Sequence, residues 1–135
     1  MRVGFLAGSF DVIHPGYILM FQDAKTVCDY LIVGLQTDPT VDRPTKNKPL
    51  QSYEERELIL SSIKYVDEIV KYTTEAELYE ILKTLKIDVR IIGSDYYEKD
   101  FTGKDLDIPI YYHQRKHEWS ATNFKNKIKT FHEQK

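Results

Sequence analysis

The chain has 135 residues, 41% hydrophobic and 30% charged, with 19 basic against 21 acidic side chains and a formal net charge of −2. That balance suits one globular domain over residues 1–135; it excludes a disordered chain and a general nucleic-acid coat, which needs a basic excess, and no run reaches the roughly 18 apolar residues of a membrane helix. The single cysteine, Cys28, excludes an internal disulfide and a cysteine-built zinc site, and a start at Met1-Arg2-Val3 without a signal-type leader points to a cytoplasmic setting.

The expected elements alternate along the chain. Residues 2–7 are an apolar run that predicts a first strand, ending at Gly8-Ser9. Ile18, Phe21, Ala24 and Cys28 then fall at the three-and-four spacing of a helix with one buried face. Residues 29–35 predict a second strand. Ser52 and Glu55 form a capping-box pattern ahead of Leu58, Ile59 and Ile63, which predicts a helix start. A weaker strand follows over 67–72, and Thr74 with Glu77 repeats the capping pattern before a stripe of Leu78, Ile81, Leu82 and Leu85. Residues 88–93 and 108–112 read as two more strands, and Phe124, Ile128 and Phe131 mark a last helix. Short, nearly continuous β-branched runs suit strands covered on both faces. Strand–helix alternation with short links implies an α/β domain built on a doubly wound parallel sheet. Residues 36–51 and 94–107 do not fit regular elements. Both follow strand C-terminal ends, the edge where open α/β sheets bind ligands.

The first strand–helix junction, Gly8-Ser9-Phe10-Asp11-Val12-Ile13-His14-Pro15-Gly16-Tyr17, carries the most chemistry. Gly8 ends a strand with no side chain, so a ligand can approach the backbone. Gly16 stands where a helix should begin, and a helix N-terminus offers amides and partial positive charge to a phosphate. His14, one turn before, can donate to a phosphate oxygen; taken alone it reads first as a histidine satisfied within a turn. The stretch is neither a Walker loop nor a GxGxxG fingerprint, which argues against a dinucleotide-dependent dehydrogenase.

Taken whole, the junction resembles the G-x-F-D-x-x-H-x-G-H signature of the cytidylyltransferase-like nucleotidyltransferases. Residues 29–38 resemble that family's second strand with its trailing aspartate, Asp38. Ser52-Tyr-Glu-Glu-Arg56 resembles its S-x-E-x-R helix start, and Tyr65-Val-Asp67 follows at the family distance. Gly93-Ser-Asp95-Tyr resembles its G-x-D-[WY] segment, and residues 115–122 (Arg-Lys-His-Glu-Trp-Ser-Ala-Thr) its R-T-x-G-I-S-[TS]-T motif. The bacterial glycerol-3-phosphate cytidylyltransferases are similar in length and motif style. The resemblance implies a Rossmann-like sheet of about five strands in the order 3-2-1-4-5. It implies transfer of a nucleotidyl group from CTP to a small alcohol phosphate such as glycerol 3-phosphate, with release of pyrophosphate. The acceptor phosphate is itself the nucleophile, so catalysis rests on positioning and charge neutralisation.

On this resemblance His14, Tyr17, Lys46, Lys48 and Arg115 are the catalytic candidates. Gly8, Ser9, Phe10, Asp11, Gly93, Asp95, Ser120, Ala121 and Thr122, together with His14 and Arg115, would hold the nucleotide. Asp38, Lys46 and Arg56 would meet the acceptor. Mg²⁺ is expected on the triphosphate rather than in a metal site of the protein. Asp11 reads equally as a partner of a basic neighbour, a contact through the metal, or an N-cap, and Asp38 equally as a loop cap. Partners would be CTP or ATP, a phosphorylated alcohol or sugar, and a second copy of the chain, with no nucleic acid and no membrane.

Tyr17 stands where the family has its second histidine, and a phenol donates one hydrogen bond without a charge. Three expectations follow: Tyr17 takes over the contact while Lys46 or Lys48 supplies charge, the enzyme is slow, or the site binds nucleotide without turnover. An ATP-dependent transfer to a sugar phosphate or cofactor precursor is the alternative activity. Glu118, Trp119 and Ala121 also depart from the last motif. His113 and His117 offer too few ligands for zinc. Tyr96, Tyr97, Tyr111 and Tyr112 predict either an interface or a base-stacking wall.

Overall fold

The computed structural model describes residues 1–115 and 119–133. The chain runs β1 (Val3–Gly8), α1 (Pro15–Ala24), β2 (Tyr30–Gln36), α2 (Tyr53–Ser61), β3 (Glu68–Tyr72), α3 (Glu75–Thr84), β4 (Val89–Gly93), β5 (Ile110–His113) and α4 (Ala121–Glu133), with a single 3₁₀ turn at Ser94–Tyr96. The five strands are parallel and lie in the expected order, β3-β2-β1-β4-β5. Order reverses at β1, so the crevice above the ends of β1 and β4 is the topological switch point where such sheets bind ligands.

Alternation along the strands builds two cores. Leu6, Leu31, Val33, Leu35 and Ile91 point to one face, where Phe21 and Ala24 of α1 and Leu60 of α2 cover them. Phe5, Ile32 and Tyr72 point to the other, under Leu78 and Leu82 of α3. Phe5, Phe21, Leu31, Val33, Leu35 and Leu60 have no exposed surface, and each such side chain stabilises the fold by about 1.5–3 kcal/mol. The sheet packs closely enough that a Cβ on Gly4 would sit 2.7 Å from Cys28 Sγ.

Helix starts follow the sequence with two adjustments. Ser52 Oγ accepts from Glu55 N while the Glu55 carboxylate accepts from Ser52 N, the full reciprocal box. Thr74 accepts from Glu77 N, but the Glu77 carboxylate takes the amide of Thr73 instead of Thr74. α1 begins at Pro15, not Gly16, and His14 is its N-cap. Proline suits that first position because it lacks the N–H that would otherwise need a partner. Cys28 lies beyond the end of α1 yet is buried against the same core.

Candidate active site

A cavity of about 870 Å³ opens over the C-terminal edge of the sheet. From β1 and the following turn it is lined by Ala7, Gly8, Ser9, Phe10 and Asp11; from α1 by Gly16, Tyr17 and Met20, with the N-cap His14 beside them. β4 and its turn contribute Gly93 and Asp95, and the start of α4 contributes Ser120, Ala121, Thr122 and Lys125. Lys46, Asn47 and Pro49 reach it from the loop after β2, and Arg115 and Trp119 flank the last motif.

The turn after β1 is held in a conformation that the chain does not adopt freely. Phe10 has φ 47° and Val12 φ 54°. For a β-branched residue this is strained backbone, a cost of about 1–3 kcal/mol that the surroundings must offset. Four hydrogen bonds do so. Val12 N donates to Gln51 Oε1 at 3.0 Å. The buried Asp11 carboxylate accepts from Leu50 N at 2.9 Å and Gln51 N at 3.1 Å. Arg56 Nη1 donates to Ser9 O at 2.7 Å.

Asp11 also pairs with Lys125 Nζ at 2.8 Å, across 114 residues of sequence. Burial works to raise its carboxyl, but Lys125 and the two amides outweigh that and hold it below the ordinary carboxylate value. Asp11 is therefore the partner of a basic neighbour and the clasp of a loop, not an N-cap.

His14 is 5% exposed, and its Nδ1 accepts from Gly16 N at 3.1 Å. An Nδ1 that accepts leaves the proton of the neutral ring on Nε2, which makes that nitrogen a donor. The imidazole stacks with two aromatic rings, Tyr17 at 4.2 Å and 24° and Trp119 at 5.8 Å and 16°. Tyr17 also meets Phe10 edge-on at 5.3 Å. Burial, reinforced by Asp11 and opposed by Arg115, raises its phenol above the ordinary value, so Tyr17 stays a neutral donor.

At α4, Ser120 Oγ accepts from Asn123 N at 3.0 Å and caps the helix. Amides of a capped first turn, with Ala121 and Thr122 on the cavity wall, are suited to phosphate oxygens. Arg115 pairs with Asp95 at 3.4 Å and donates to Trp119 O.

Three expected acceptor or catalytic contacts are placed elsewhere. Arg56 is 1% exposed and does not line the cavity: it donates to Gln51 O, Ser9 O, Gln36 O and Thr37 O at 2.6–3.1 Å, committing its guanidinium to backbone carbonyls. Asp38 caps its own loop through Thr40 N and Oγ1 at 2.9 and 2.6 Å. Lys48 extends to Asp38 at 3.8 Å, while Lys46 faces the cavity. His113 Nδ1 meets Asp23 at 2.7 Å, and Asp23 also accepts from Tyr111 at 2.9 Å. His117 and Glu118 lie outside the described residues. Tyr97 and Tyr112 meet edge-on at 5.1 Å, and Tyr96 lines the cavity. Sequence reasoning missed Lys125 and Arg90. A lysine on a helix and an arginine inside a strand give no local signal, since their partners come from distant segments.

The sequence profile described as cytidylyltransferase-like matches residues 5–132. The chain belongs to the cytidylyltransferase-like family. Among curated relatives, this cytidylyltransferase-like chain is 42% identical over 108 residues to the bifunctional protein HldE of Paramagnetospirillum magneticum. It is 38% identical over 109 residues to the HldE of Caulobacter vibrioides. Each match covers 78% of this chain and 22% of the relative, so the chain spans under a quarter of those proteins' length. The fold is shared with a lipopolysaccharide core biosynthesis protein from Thermoplasma volcanium, at TM-score 0.72 and 22% identity over 87% of this chain and 99% of that one. No helix among the described residues is long and apolar enough to cross a membrane.

Proposed function

We propose that the chain transfers a nucleotidyl group from CTP or ATP to the phosphate of a small phosphorylated acceptor. An oxygen of that phosphate attacks the α-phosphorus in line; the bond to the β-phosphate oxygen breaks and pyrophosphate leaves. The observation that carries this reading is His14, fixed as an Nε2 donor at the start of α1 and opposite the capped start of α4.

Each residue then has a task set by its chemistry. The Nε2–H of His14 donates to phosphate oxygens as charge builds in the transition state. Tyr17 supplies a neutral donor, and the charge that a second histidine would bring falls to cations on the cavity wall, Lys46, Arg115 and Lys125. Gly8 and Ser9 give the nucleotide a path along the backbone. These donors are cationic groups and amides, which suits a Mg²⁺ ion held by the triphosphate's own oxygens; that ion would supply further neutralisation of phosphate charge. No side chain is required as a nucleophile, so both substrates are bound together when the transfer occurs.

Of the two acceptor classes, the HldE relatives favour a sugar phosphate with ATP over glycerol 3-phosphate with CTP. Pairing of two copies is an expectation of the family resemblance, and sedimentation equilibrium reads it directly. The deciding assay measures pyrophosphate release with CTP, ATP, UTP and GTP crossed against phosphorylated alcohols and sugars in Mg²⁺. Release with one donor–acceptor pair supports the reading and names both specificities. A protein stabilised by nucleotide that releases no pyrophosphate with any pair refutes turnover in favour of binding alone.

A further inference from the structure

The cavity has a second wall, on the sheet face opposite His14 and Tyr17, which the phosphate chemistry does not use. Tyr72, Glu75, Arg90 and Thr102 form it, with Arg43 and Phe101 at its margins. Arg90 pairs in register with Phe5, so its side chain leaves β4 on the α3 side. An arginine inside a central strand is costly to bury. This one is 6% exposed, and burial brings its guanidinium down to about 10, so it still carries its charge at neutral pH.

Its surroundings form one connected network. Arg90 Nη1 donates to Thr102 O. Thr102 Oγ1 donates to Glu75 Oε2 at 3.1 Å, and Glu75 Oε1 receives Arg43 Nη2 at 2.5 Å. Glu75 N is in turn held by Asp42 Oδ2 at 2.5 Å. Phe101 lies 5.1 Å from the guanidinium carbon. Gly103 has φ 84°, and a Cβ there would lie 2.5 Å from Leu82 Cδ1 and 3.0 Å from Arg90 Nη1, so the loop packs closely on both. Arg90 Nε finds no hydrogen-bond partner among the described residues. That nitrogen is itself closed off from solvent, so a ligand in the cavity meets the Arg43, Glu75 and Thr102 edge of the network rather than Arg90 Nε.

We infer that this wall is the subsite for the hydroxylated body of a sugar phosphate acceptor. The inference rests on the transferase reading above and adds the residues that would choose the acceptor. Hydroxyls both donate and accept, so they can satisfy the Glu75 carboxylate and the two guanidinium groups together. An apolar acceptor would desolvate those charges without compensation. A second phosphate would be opposed by Glu75. The rings of Phe101 and Tyr72 give the C–H faces of a sugar an apolar surface. Glycerol 3-phosphate offers fewer hydroxyls than this wall has partners.

The test is calorimetric titration of the full chain with Mg²⁺ and α,β-methylene ATP or CTP present. Inorganic phosphate, glycerol 3-phosphate, glucose 1-phosphate, mannose 1-phosphate and fructose 6-phosphate are the probes. At least one sugar phosphate should bind about 10-fold or more tightly than inorganic phosphate. Thr102→Val and Glu75→Gln should each remove about 5- to 10-fold of that preference, the scale of one hydrogen bond to a charged or polar partner. Both should leave the affinity for inorganic phosphate unchanged at a temperature where each variant is shown by its melting curve to be folded. No sugar phosphate binding more tightly than inorganic phosphate overturns the subsite, as does a loss that strikes inorganic phosphate equally. The two readings fail separately. Pyrophosphate release with a sugar phosphate that neither variant affects refutes the subsite alone. A sugar preference that both variants abolish, with no pyrophosphate from any donor, refutes the transfer alone.

Discussion

Replacing Arg56 by lysine separates a structural clamp from a substrate contact. The guanidinium joins the end of β1 (Ser9 O, 2.7 Å), the end of β2 (Gln36 O and Thr37 O, both 2.6 Å) and the residue before the α2 cap (Gln51 O, 3.1 Å). A planar fork serves these four carbonyls at once; an ammonium on a flexible stem is a point donor and cannot. If lysine keeps two of the bonds, two buried carbonyls are stranded at about 1–3 kcal/mol each. Allowing for partial relaxation, the expected loss is about 3 kcal/mol. For a chain of this length that lowers the melting temperature by roughly 10 °C, a large part of a typical domain's stability. Urea denaturation gives the free energy, and pyrophosphate release at a temperature where the variant is folded gives the KM for acceptor. The expected outcome is lost stability with an unchanged acceptor KM. A variant that keeps its stability while its acceptor KM rises tenfold would refute the clamp and return Arg56 to the substrate.

The remaining predictions concern the turn and its neighbours. His14→Asn keeps a good N-cap for α1 but removes the Nε2 donor, so folding should be nearly unchanged while turnover falls about 10²-fold; a stable variant with full activity would end the phosphate role. Tyr17→His should keep or raise turnover, because it restores a donor that can be charged, whereas Tyr17→Phe keeps the stack on His14 and should lose about 10-fold; a large loss in the histidine variant would mean the phenol has its own task. Asp11→Asn should destabilise the fold at neutral pH. Because the native carboxyl is held below its ordinary value, its stabilisation is fully present above the unfolded value near 4 and fades as pH falls through the lower native one; the gap between wild type and variant should shrink in urea titrations below about pH 4, and a gap constant with pH would disprove the ionic clasp.

The sheet was legible because the strands are short, largely apolar runs and each predicted cap has a mechanism acting within four residues. Ser52 and Glu55 show this, since both halves of their box are local. Family motifs then carried His14, Gly93, Arg115 and Ser120 to one cavity. They misplaced Arg56, because a motif arginine at a helix start looks the same whether it binds phosphate or backbone; only the approach of Ser9 and Gln36 to it decides. Asp38 is harder to read for a similar reason: the amide and hydroxyl of Thr40, in its own loop, compete for its carboxylate. Lys125 and Arg90 became readable only when the fold brought Asp11 and Thr102 to them.

Helix α4 has no buried residue along its 13 positions, and Ile128 and Phe131 are 52% and 61% exposed. A helix of that length is marginal by itself in water. Its first half is attached through the Lys125 pair, Lys127 over the Trp119 ring and the contacts of Phe124 with Trp119 and His14. Its amides should therefore exchange with deuterium through local opening, well ahead of those in β1 and β2, whose release needs the whole sheet to come apart. A ligand seated on Ser120–Thr122 would slow that opening in proportion to its occupancy. The deuterium uptake of one segment would then serve as a binding isotherm, read without turnover and without a label on the nucleotide.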